Sequence, residues 1–157
     1  MPHKPPFLPP ALGLLVMLVI FALHFIKPLG VIFPYPWNFL GLLPIALGAL
    51  INIAAERELH RAGASAHPGE PSDVLVERGV FRLSRNPMSV GFVLIAGGLA
   101  IWVGSVSPWL VVLGSPFLLY GLFIRREEHQ LEQIHGEAYR AYCRRVPRWW
   151  RRPGKSG

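Results

Sequence analysis

Two adjacent carboxylates, Glu127 and Glu128, follow directly on Arg125-Arg126 where a long apolar run ends. Beside an apolar medium such a pair carries a desolvation cost unless it is paired or holds something. Two readings stay open: Arg125 and Arg126 neutralise the pair, or a carboxylate binds the hydroxyls or cationic group of a ligand. The second chemically pointed stretch is Arg85-Asn86-Pro87. Asparagine can cap a helix and proline is preset for its first turn, so a helix is predicted to start there. Its free N–H groups and positive dipole end suit a carboxylate or phosphate. Taken alone, a capped helix without a ligand satisfies the same pattern.

The remaining reactive types form no site. His60 and His67 are seven residues apart and His129 and His135 six, so neither pair has the i, i+4 spacing of helical metal ligands. No metal is expected. His24 falls inside an apolar run, where packing or a hydrogen bond to a neighbouring helix accounts for it. The single cysteine, Cys143, excludes an internal disulfide and any multi-cysteine metal centre. There is no phosphate loop, nucleophile elbow or dinucleotide glycine fingerprint.

The elements that must position these groups are apolar. The chain of 157 residues is 52% hydrophobic and only 16% charged, and its mean hydropathy is +0.36. An average soluble domain carries roughly 25% charged residues, so lipid is the simpler solvent. Four apolar runs, about 11–26, 37–55, 88–103 and 109–124, have lengths at the short end for membrane spans. The expected fold is all-α: a single membrane domain, 1–157, with about four transmembrane helices and a cytoplasmic amphipathic C-terminal helix. Spans three and four form a tight antiparallel hairpin, with Gly91, Gly97, Gly98, Gly114 and Gly121 allowing close backbone approach.

Charge sets the orientation. Fourteen of the 16 Lys and Arg residues, and all nine Asp and Glu residues, lie in two segments, 56–86 and 125–157. The positive-inside rule puts both segments, and both termini, in the cytoplasm. The net charge of +7 therefore reads as membrane topology. The basic residues flank apolar blocks without stacking aromatics, so nucleic-acid binding is not expected. No cleavable signal is evident; residues 11–26 read as a retained span.

Within the first polar segment, Glu56–Gly63 extends the second helix, Ala64–Asp73 is a loop rich in Pro, Gly and Ser, and Val74-Leu75-Val76 is a short apolar stretch. Residues 125–146 read as a helix continuing from span four. Leu131, Ile134, Ala138, Tyr142 and Val146 form one apolar stripe, and Gly136 marks a break.

The run Leu75-Val76-Glu77-Arg78-Gly79-Val80-Phe81-Arg82-Leu83-Ser84-Arg85-Asn86-Pro87-Met88 is followed by an apolar span, then Arg126-Glu127-Glu128, Gly136-Glu137-Ala138-Tyr139-Arg140-Ala141-Tyr142 and Arg145-Val146-Pro147. This ordered set resembles the isoprenylcysteine carboxyl methyltransferases and, more broadly, the membrane methyltransferases that include the phospholipid N-methyltransferases. The resemblance covers about residues 55–150, with the cofactor-binding core at about 56–150. It implies S-adenosylmethionine as methyl donor, bound between the last two spans and the C-terminal helix. The family's cofactor-contacting positions fall on Asp73, Val74, Leu75 and Val76, on Phe81, on Asn86, Pro87, Met88 and Ser89, and on Glu127. Phe81 with Leu75 would flank the adenine.

Arg85 and Arg126 would orient an anionic acceptor or the donor's carboxylate. Glu128 would accept a proton from an amine nucleophile, whereas a carboxylate nucleophile needs no base. Methyl transfer asks mainly for positioning and exclusion of water.

Three positions depart from the family pattern. Its histidine is Asn86 and its tyrosine Ser89, and the arginine that prenylcysteine enzymes place four residues before the first glutamate is Phe123. The implied acceptor is a membrane-embedded lipid, a lipid amine included, or a prenylated amphiphile. Two other functions fit the same core: an NADPH-dependent sterol or enone reductase, and a catalytically degenerate scaffold or small transporter.

Overall fold

The computed structural model describes residues 10–64 and 74–150. The described residues are helical, without strands, in the order α1 (Pro10–Ile26), α2 (Leu42–Arg61), α3 (Pro87–Val103), α4 (Pro108–Leu119), α5 (Arg125–His135) and α6 (Glu137–Arg145). A 3-10 turn, Trp37–Gly41, leads into α2, and another, Gly79–Arg82, precedes α3. Two helices are long and apolar enough to cross a membrane: Trp37–Arg61, of 25 residues, and Pro108–His135, of 28. The apolar helices α1 and α3 have 17 residues each.

The second long helix runs through a π turn, Tyr120–Ile124, that joins α4 to α5. Pro116 lies inside it and supplies no N–H, which would strand the carbonyl of Val112. The buried hydroxyl of Ser115 donates to that carbonyl at 2.8 Å.

Helix α3 is the centre of the bundle. One buried cluster joins Ile20 of α1 to Ala96, Leu99 and Ala100 of α3 and Val112 of α4. A second joins Phe92 to Leu119 and Ile124, with Leu12, Phe123 and Trp149 against it. Against α2 the contact is backbone to backbone. A methyl group on Gly98 would lie 2.5 Å from the Gly41 carbonyl oxygen, and one on Gly48 would lie 2.5 Å from that of Gly91.

This corrects the expected use of the glycines. Gly91 and Gly98 face α2, not α4, while Gly114 and Gly121 face open space. Only Gly97 looks toward α4, at ordinary van der Waals distance from Val112. The reason is periodicity: Gly41 and Gly48, like Gly91 and Gly98, are seven apart, so each pair lies along one helix face.

The α3–α4 hairpin is as short as expected. Gly104 ends α3 at φ +80°, and its carbonyl accepts from Ile32 and Phe33 N–H. His24 bonds the Ser105 hydroxyl in this hairpin at 2.9 Å, and Ser107 donates to the Leu23 carbonyl. At the other end, α2 continues past its apolar length to Arg61, as the sequence indicates.

Two local expectations need correction. α3 starts at Pro87, but Asn86 makes no side-chain capping bond; its own N–H instead donates to the buried Ser84 hydroxyl at 3.0 Å. The C-terminal stripe also differs. Gly136, at φ +52° and ψ −121°, breaks the helix and turns α6 away from the axis of α5, so Tyr139, Tyr142 and Val146 pack with Leu131 and Leu75. Ile134 stays 43% exposed, and Ala138 is exposed as well.

Candidate functional site

The polar groups gather at one end of the bundle, where α2 ends, α3 begins and α5 leaves the apolar core. At its centre stands the Glu128 carboxylate. The Arg85 guanidinium approaches one oxygen at 3.0 Å. Arg148 donates from Nε to both oxygens, at 3.0 and 3.1 Å, and from Nη2 at 2.8 Å. The side chains of Arg85 and Glu128 are only 12% and 15% exposed. The bond to Glu128 holds the Arg148 guanidinium still further above its usual range. Arg148 also stacks over the Tyr120 ring, 4.8 Å from its centroid, a favourable cation–π placement.

Arg148 reaches this position because Pro147 ends the helical stretch and turns the chain back. The Pro147 carbonyl accepts from Arg85 N–H at 3.0 Å, and the Arg148 carbonyl accepts from Ser84 Oγ at 3.0 Å. Trp149 then packs on the second apolar cluster. Residues 147–149 thus form a strap that grips both the 84–86 turn and the Glu128 carboxylate.

The 74–82 stretch is fixed from the other side. Leu75 packs on the Tyr139–Tyr142–Val146 cluster, and Glu77 pairs with Arg145 at 2.7 Å. The Tyr142 hydroxyl donates to the Phe81 carbonyl at 2.7 Å. Burial, with the nearby Glu77 carboxylate, pushes that phenol upward, so it stays a donor. Tyr139 is likewise raised by burial and by Glu128. Cys143 accepts from Arg85 Nη1 at 2.7 Å, which gives the cysteine a local partner.

The expected site residues divide as follows. Arg85 and Glu128 meet directly. Asn86, Pro87 and Ser89 are buried around the α3 N-terminus, with Met88 and Phe81 half-buried beside them. Val76 is buried, Leu75 half-buried, and Val74 38% exposed. Asp73 lies outside the described residues. Arg125 and Arg126 are exposed, and among the described residues Glu128 is matched by Arg85 and Arg148 instead. Of the two readings of the carboxylate pair, neutralisation by Arg125 and Arg126 does not hold for Glu128, whose partners lie elsewhere.

Glu127 has no ion-pair partner among the described residues. The residue as a whole is exposed, while its carboxyl lies against the protein. That loss of hydration, with Glu128 beside it, pushes the group from an ordinary 4.5 up to about 7.

Two buried donors on consecutive residues are unspent: Arg85 Nε and Asn86 Nδ2 have no hydrogen-bond partner among the described residues. Asn86 as a whole is 8% exposed. Sequence reasoning missed Arg148, Ser84 and the two tyrosines as parts of this cluster. The signal for Arg148 is Pro147, which forbids the helix from continuing and so demands a turn.

A family model described as phospholipid methyltransferase matches residues 37–138. The chain belongs to this family. The phospholipid methyltransferase family includes the isoprenylcysteine carboxyl methyltransferases, so the resemblance carried by the two polar segments is confirmed, and methyltransferase activity is the family's general character. The match spans α2, α3, α4, α5 and the start of α6; the Pro147–Trp149 strap lies beyond it. An uncharacterized protein of Haemophilus influenzae is 34% identical over 62 residues, which is 40% of this chain and 98% of that relative. No solved structure matches the chain.

Proposed function

We propose that the chain is an S-adenosylmethionine-dependent methyltransferase acting on a membrane-embedded lipid or prenylated amphiphile. In this reading α1, Trp37–Arg61, α3 and the α4 helix are four spans of one membrane unit, and both termini and the polar end face the cytoplasm. S-Adenosylmethionine supplies a methyl group on a sulfonium, transferred by in-line displacement.

The observation that carries the reading is the pair of unspent donors at the start of a helix. Arg85 Nε and Asn86 Nδ2 are buried without partners, beside the first N–H groups of α3. Buried polar atoms are ordinarily bonded, and this set matches the carboxylate of an amino-acid tail. Glu127 and Asp73 accept from the ribose or the amino group. Val74, Leu75, Val76 and Phe81 flank the adenine, and Pro87, Met88 and Ser89 line the wall.

Glu128 acts as a positioning residue, because both of its oxygens already serve Arg85 and Arg148. Arg126, exposed, meets an anionic part of the acceptor. Phe123 packs into the apolar cluster of Phe92, Leu119 and Ile124. An apolar wall therefore stands where prenylcysteine enzymes hold a carboxylate, which favours a lipid amine or another acceptor without one.

Calorimetric titration of detergent-purified protein tests the donor assignment. S-Adenosylmethionine is expected to bind, with affinity rising between pH 6 and pH 8 as Glu127, raised to about 7, ionises and becomes the better acceptor. Glu127→Gln should flatten that rise. The ligand-free protein should show the opposite trend: a carboxyl raised in the folded state favours folding at acid pH, and that contribution is lost as pH climbs from 4.5 through about 7. Binding of NADPH without S-adenosylmethionine would overturn the reading.

A further inference from the structure

A second unpartnered polar group lies deeper in the bundle. Asn52 stands on α2 between Ile51, which is buried, and Ile53, which is 44% exposed. Its Oδ1 atom is buried and has no hydrogen-bond partner among the described residues. The carboxamide rests against α3 where Gly91 has no side chain; a methyl group there would collide with Asn52 Oδ1. Gly91 thus leaves room for a carboxamide whose oxygen has no partner among the described residues.

Burying an unsatisfied amide is costly. A polar residue left without a partner in an apolar helix is expensive to keep there. Its place says what it serves. Asn52 lies one helical turn before Glu56, the first charged residue of α2, about 6 Å deeper by helix rise. On α3 its neighbour Gly91 lies five residues beyond Asn86, again about 7 Å deeper. A water-soluble donor meets the polar loops at the end of the bundle. A group at the depth of Asn52 has to be carried in by a molecule resident in the bilayer.

We propose that Asn52 forms part of the seat of the methyl acceptor, hydrogen-bonding a hydroxyl, amide or amine near the junction of its polar head and its chain. This rests on the methyltransferase reading above. The carboxamide offers an acceptor and a donor and carries no charge. It therefore selects an acceptor with a neutral or protonated hydrogen-bonding group at that depth, and supplies no positive charge to balance a carboxylate.

The test compares wild type, Asn52→Leu and Asn52→Ser in membranes, by transfer of labelled methyl from S-adenosylmethionine to total membrane lipid. Donor affinity is measured in parallel by calorimetry. Asn52→Leu is expected to lose methyl transfer by about tenfold or more, the worth of one buried hydrogen bond, with donor affinity unchanged. Asn52→Ser, which keeps a hydrogen-bonding group, should recover part of it. Unchanged transfer by Asn52→Leu would overturn the proposal, as would a fall in donor affinity equal to the fall in transfer. A wild type that binds donor but methylates no lipid would instead overturn the lipid-acceptor reading on which the proposal stands.

Discussion

Glu128→Ala is expected to destabilise the protein by about 3 kcal/mol and to abolish donor binding. The carboxylate stands between two guanidiniums, and its side chain and that of Arg85 are 15% and 12% exposed. Removing it leaves two like charges facing each other, the Arg85 one with little solvent to screen it. Breaking a buried pair in this way costs more than the pair itself contributes.

The loss should propagate. Arg85 would no longer be held from the α5 side, and the 147–149 strap would keep only its backbone bonds to the 84–86 turn. Arg148→Ala should cost less, because that side chain is 35% exposed and Glu128 retains Arg85. Arg126→Ala, at an exposed position, should leave the unfolding free energy within about 0.5 kcal/mol of wild type. Chemical unfolding in detergent measures all three. Equal effects of Glu128→Ala and Arg126→Ala would remove Glu128 from the centre of the site.

Gly98→Val should be nearly as damaging, at about 3 kcal/mol, although it lies far from any charge. Its first side-chain carbon would sit 2.5 Å from the Gly41 carbonyl oxygen and 2.9 Å from Ile45 N. Those are backbone atoms that no rotamer change can move, so α2 and α3 must separate. Gly114→Val is the matched control, since nothing lies within 4 Å of its added carbon. A midpoint for Gly98→Val equal to that of Gly114→Val would mean that the two helices do not pack through their glycines. Because α3 carries Asn86 at its start, the same separation should weaken donor binding.

Much of this arrangement is legible in the sequence, for local reasons. Pro87 and Pro108 fix where α3 and α4 begin, and the four residues between Val103 and Pro108 force a hairpin. Gly136 breaks the C-terminal helix where expected. The seven-residue spacing of Gly41 with Gly48, and of Gly91 with Gly98, is equally visible, but glycines on two faces of α3 do not say which face meets which helix.

The site divides the same way. Arg85, Asn86 and the carboxylate pair stand out as polar groups bordering apolar runs. Their partners do not, since the choice of Arg148 over Arg125 and Arg126 for Glu128 depends on a chain reversal 20 residues away. Nor does spacing reveal that Ser84 takes the Asn86 N–H. The asparagine carboxamide makes no capping bond there, and its Nδ2 atom has no hydrogen-bond partner among the described residues.

The most direct measurement is incubation of the protein in membranes with labelled S-adenosylmethionine and total membrane lipid, with identification of the labelled product. A labelled amphiphile, formed by wild type and absent with Glu128→Ala, is the predicted result. Label that appears in no lipid or prenylated product, from protein shown by calorimetry to bind the donor, would contradict it.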